Sequence, residues 1–92
     1  MFKTPWYDRA LIISDDGYSL RWGQDWAIYQ EGGRKLTLTI DVGGSGASIF
    51  VGSVTRWDDD PSRVIDSSTQ GRIVENVRRA LESKGLDVQL FP

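Results

Sequence analysis

The sequence predicts an α+β fold: an antiparallel meander sheet of about five to six strands with one C-terminal amphipathic helix packed on one of its faces. Three observations carry this. Turn signals at Asp16-Gly17, Glu31-Gly32-Gly33 and Gly43-Gly44-Ser45-Gly46 cut the first half of the chain into short β-type runs. Ile73, Val74, Val77, Ala80 and Leu81 then recur at helical spacing and form one stripe. A sheet with one apolar face and a lone helical stripe have nothing of comparable size to bury against except each other, which makes two layers. With 92 residues and no internal repeat or linker, the chain is a single domain, 1–92.

Asp16-Gly17 suits the positive φ values of a two-residue type I′ turn. Closing the loop there sets Ile13 against Leu20 and Leu11 against Trp22, one apolar face. At the second turn, a three-residue loop from Glu31 to Gly33 sets Ile28 against Leu36 and Trp26 against Leu38. This is preferred to a two-residue Gly-Gly loop, which would face Ala27 and Asp25 toward Leu38 and Ile40. Leu36, Leu38, Ile40 and Val42 alternate with Lys35, Thr37, Thr39 and Asp41. Folding back at the glycine-rich loop pairs Val42 with Ala47, Ile40 with Ile49 and Leu38 with Val51, and Gly52 suggests a bulge. Asp58 to Ser68 is polar, contains Pro61 and reads as a loop. Ser67 and Gln70 have the spacing of a helix capping box, Glu75 and Arg79 form an i,i+4 pair, and Gly85 stops the helix. Leu86, Val88 and Leu90 alternate with Asp87 and Gln89, which predicts a short final strand. By alternation, Ile12, Arg21, Thr37, Thr39 and Phe50 belong to the other face of the sheet.

The chain contains no histidine and no cysteine. It therefore lacks the side chain that titrates most readily near neutrality, the soft nucleophile, and the usual ligands of zinc, haem and iron–sulfur sites. No cofactor is expected. A net charge of −2 argues against nucleic acid as a partner, because phosphate binding needs a cationic field. No apolar run approaches the ~20 residues of a membrane helix, and Met1 to Trp6 lacks the apolar segment of a signal peptide. The expectation is a cytoplasmic protein without a membrane partner, and the absence of cysteine fits a reducing compartment.

Motifs that invite chemistry lack its context. Gly43 to Gly46 is followed by a strand and no nearby lysine or arginine, unlike a phosphate loop. Asp58, Asp59 and Asp60 concentrate carboxylates, but an EF-hand reading would put Arg63 and Thr69 at its sixth and twelfth positions. Trp22 and Trp26 read as core aromatics. Trp57 stands where the sheet ends and the acidic run begins, as a plug of the core or as an interface anchor. Trp57, Asp58, Asp59 and Asp60 are the candidate partner-binding residues, since only there does concentrated charge meet a large aromatic. No catalytic residues and no metal site are expected.

Asp16-Gly17, the Glu31-Gly32-Gly33-Arg34 turn followed by Leu36, Trp57 leading an acidic, proline-bearing segment, and Arg72-Ile73, Asn76 and Ala80-Leu81 form a succession that resembles small bacterial immunity proteins of polymorphic toxin systems. The resemblance runs from Asp16 to Gly85. It implies a non-enzymatic protein that binds and neutralises a cognate toxin. A regulatory domain that takes a small ligand, or forms a homodimer through its exposed sheet face, is the alternative.

Overall fold

Seven strands form the main sheet of the computed structural model, which describes residues 1–92: β1 (Phe2–Lys3), β2 (Leu11–Ser14), β3 (Tyr18–Trp22), β4 (Trp26–Glu31), β5 (Arg34–Gly43), β6 (Gly46–Phe50) and β9 (Asp87–Phe91). Between β6 and β9 lie a 3-10 turn (Val51–Ser53), a small hairpin of β7 (Arg56–Trp57) and β8 (Asp60–Val64), and the helix α1 (Ser67–Glu82). The chain is thus α+β and mostly antiparallel, with one helix. The sheet is larger than the expected five to six strands because Phe2–Lys3 adds an edge beside β2.

Turn chemistry and burial together decide which residues face the helix. The third hairpin follows the expected register, with Ile40 opposite Ile49 and Val42 opposite Ala47. The first hairpin is displaced by one residue: Ile12 pairs with Leu20 and Leu11 with Arg21. Asp15, Asp16 and Gly17 lie between the strands, and Gly17 has φ +92°. The expected register would have turned Asp15 toward the core, and burying a lone carboxylate is costly. Ser14 takes that place instead, 6% exposed, and its Oγ accepts a 3.0 Å bond from the Asp16 N–H. Ile12, assigned to the outer face by alternation, is consequently in the core, and Leu11 and Ile13 turn outward.

The second hairpin also departs from expectation. Gly32 and Gly33, at φ +57° and +80°, form a two-residue loop, so Ala27 faces Leu38 and Tyr29 faces Leu36. Both φ values suit the type I′ turn, whose twist matches that of the strands. The apparent weakness of an inward Ala27 is offset by Tyr29, which is fully buried. Trp26 moves to the outer face and lies over Gly23, where a Cβ would stand 2.7 Å from the indole.

The stripe of α1 is buried as its spacing predicts and joins Ile12, Leu20, Leu36, Leu38, Ile40 and Ile49 in one core. Its N-cap is Asp66 rather than Ser67: the carboxylate accepts from the Thr69 N–H at 2.7 Å. Gln70 instead donates to the carbonyls of Val51 (3.1 Å) and Val54 (2.9 Å), fastening the helix to the 3-10 turn that replaces the expected bulge at Gly52. The helix carries the chain back along the sheet, so β9 returns parallel to β6, with Ala47 opposite Val88 and Ile49 opposite Leu90. The last strand therefore makes the sheet mixed.

Candidate functional site

Trp57 and the three aspartates are neighbours in sequence with different surroundings. Trp57 is 5% exposed, its ring 6.4 Å from that of Tyr29, with the Arg34 guanidinium over its face at 5.8 Å. The residue closes one end of the core. Within the expected loop, Asp58 and Asp59 form a turn and Asp60 to Val64 pairs back on Arg56 and Trp57 as β8.

Asp58 answers a shortage of backbone partners. β6 pairs only with Ile40–Gly43, which leaves the first half of that edge of β5 without a strand. The Asp58 N–H donates to the Lys35 carbonyl at 2.7 Å, and its carboxylate accepts from the Thr37 N–H at 3.1 Å and the Thr37 hydroxyl at 2.6 Å. Ser53 serves the next free amide, its Oγ accepting from the Thr39 N–H at 2.9 Å. Asp58→Ala is expected to cost about 1–2 kcal/mol through the loss of these charge-assisted bonds. Urea unfolding checks this, with Thr37 amide exchange as the local readout. Asp60 accepts from the Ser62 hydroxyl at 2.9 Å, whereas Asp59 is exposed without a side-chain bond. The three carboxylates do not converge, and no group of three acidic side chains is arranged to hold a metal ion.

A second polar group joins the sheet to the helix. The Tyr29 hydroxyl donates to Glu31 Oε1 at 2.5 Å and accepts from Asn76 Nδ2 at 3.0 Å. Arg72 on α1 makes a bidentate pair with Glu31. Burial, and then the adjacent Glu31, push the Tyr29 phenol up, so it remains a donor. The Arg72 bond in turn holds Glu31 below the usual carboxylate range. On the exposed side of α1, Arg78 foremost, with Arg79, holds Glu75 down to about 2. Because these carboxylates have depressed folded-state pKa values, their stabilisation is complete above the ordinary value of 4.5 and is lost as pH falls below it, for Glu75 toward about 2. Acid unfolding is therefore expected to steepen in that window. In Glu31→Gln the slope of stability against pH there should be shallower, which denaturant titrations at several pH values would measure.

The most exposed aromatic side chains lie elsewhere. Trp6 is 91% and Tyr7 73% exposed, packed edge to face at 5.8 Å. They occupy a turn closed by the Asp8 N–H donating to the Pro5 carbonyl at 3.1 Å. The Asp8 carboxylate accepts from the Ala10 N–H at 3.1 Å and pairs with Arg21, so β3 anchors the turn. Sequence reasoning did not single out these aromatics. A usable signal was present: Trp6 and Tyr7 stand between Pro5 and Asp8, outside every alternating run, so no strand or helix could turn them inward. Beside Arg21, the outward face of β2–β5 forms an open trough of about 530 Å³. Comparison with protein-family models, curated proteins and solved structures finds no match to this chain.

Proposed function

We propose that this chain is a non-enzymatic binding protein of the immunity type, which neutralises a cognate bacterial toxin by docking to it in the cytoplasm. The observation that carries the reading is the Trp6–Tyr7 turn: two aromatics held in water by a hydrogen-bonded turn and an ion pair. Tryptophan and tyrosine dominate interface hot spots, and a fixed turn lowers the ordering cost of using them. The acidic residues support the same reading in a different role. Asp59 and Asp60, at the tip of the β7–β8 hairpin, supply rim charge that speeds association with a basic partner, while Asp58 and Trp57 hold the hairpin in place.

The test is co-expression with the toxin domain encoded beside the gene. Restored growth and a stable complex are expected, and Trp6→Ser should weaken the complex at least about tenfold without lowering stability. A neighbouring toxin whose activity is unchanged by this chain overturns the reading, as does the absence of any toxin gene beside it.

A further inference from the structure

The outward side of β1–β5 presents two adjacent cross-strand rows. The strand register aligns Lys3, Ile13, Ser19, Gln30 and Lys35 in one row, and Leu11, Arg21, Ile28 and Thr37 in the next. Ile13 is 40% exposed, Leu11 and Ile28 are half-buried, and these three make the apolar floor of the trough. The helix lies on the opposite face, so nothing in the chain covers them. Arg21 is answered by Asp8, but Lys3 and Lys35, at the two ends of the first row, make no ion pair.

We propose that this face docks an extended segment of a protein partner whose apolar side chains enter the trough and whose carboxylates meet Lys3 and Lys35. The inference rests on the binding-protein reading and names the partner's chemistry. Four strand spacings separate the lysines, roughly 19 Å. An extended chain covers that distance in about six residues. The segment therefore carries two acidic residues about six positions apart with alternating apolar residues between them. The trough is large enough for several side chains, and its openness along the sheet suits a segment rather than an enclosed molecule. A second copy placed isologously on this face would bring like charges together. A bilayer would leave the depression unfilled.

The test titrates isotope-labelled protein with a capped heptapeptide bearing glutamate at both ends and alternating leucine and threonine between them. Its analogue with lysine ends is the comparison. Amide shifts are expected at Leu11, Ile13, Ile28 and Lys35 with the acidic peptide, with affinity about tenfold lower in Lys35→Glu and reduced by salt. Ile28→Asp should abolish the shifts while leaving the amides of α1 unmoved, which separates lost docking from lost folding. Equal binding of the two peptides, shifts confined to another surface, or none up to millimolar peptide would overturn the proposal. Shifts on this face that depend on protein concentration alone would assign it to self-association, and co-sedimentation with anionic vesicles would assign it to lipid. Toxin neutralisation is scored independently. A chain that protects the host but ignores the peptide loses this surface only, whereas failure to protect removes the immunity reading itself.

Discussion

Val77→Asp is expected to leave the chain unfolded under conditions where the parent is native. Val77 is completely buried on the stripe of α1, inside the shared core of helix and sheet. A carboxylate there would lose its hydration without gaining a partner, a class of change that costs upwards of about 4–5 kcal/mol. Domains of this kind have about 5–15 kcal/mol in total, so the loss consumes most or all of it. Val77→Ala, which removes two carbons and leaves a small cavity, should cost only about 2 kcal/mol and remain folded. Circular dichroism and thermal melts of the two variants separate the burial of charge from loss of volume. A native melting temperature for Val77→Asp would refute the packing of helix on sheet.

Trp57→Ala is expected to have the next largest effect, about 3–5 kcal/mol of lost stability. The indole closes the core beside Tyr29, and Arg34 covers its outer face. Truncation would open a cavity and remove the cation–π contact together. The loss should appear in denaturant midpoints and in faster exchange along β7 and β8. Trp57→Phe preserves most of the packing and should fold. Full partner affinity in that variant is the expected result for a residue that supports the hairpin from within. A large loss of affinity with unchanged stability would instead make Trp57 an interface anchor.

The helix was legible because periodicity and burial ask the same thing of its residues: Ile73, Val74, Val77, Ala80 and Leu81 could share only one face. The third hairpin was legible for a similar reason, since β5 alternates throughout and β6 alternates from Gly46 to Ile49. The first two hairpins were harder because one strand of each contains adjacent apolar residues, Leu11-Ile12-Ile13 and Trp26-Ala27-Ile28, so either register buries something. Polar positions settled them: Asp15 could not face inward, and two glycines at positive φ fixed the Gly32-Gly33 loop. Hydrophobicity also undervalued Tyr29, whose hydroxyl is satisfied by Glu31 two residues along its own strand and by Asn76 from the distant helix. The parallel placement of β9 could not be read locally, because it depends on where the helix delivers the chain. Among the proposed site residues, charge and aromaticity made Trp57 to Asp60 conspicuous. They could not reveal that Asp58 spends its carboxylate on a vacant strand edge.

The β6–β9 pairing has a kinetic consequence. Hairpins between β2 and β6 join neighbours in sequence and can zip in succession, whereas Gly46 meets Asp87 only across a long intervening segment. Loop-closure entropy makes that contact slow to win, and it can be held only once the helix between the two strands has docked. β9 should therefore consolidate after the folding barrier. Mutations at Val88 would then accelerate unfolding while barely changing the folding rate, and stopped-flow chevrons would display the asymmetry directly. Until that final pairing, β6 presents an open edge to its surroundings, so the interval before β9 arrives is when the nascent fold is most prone to adding a strand from another molecule.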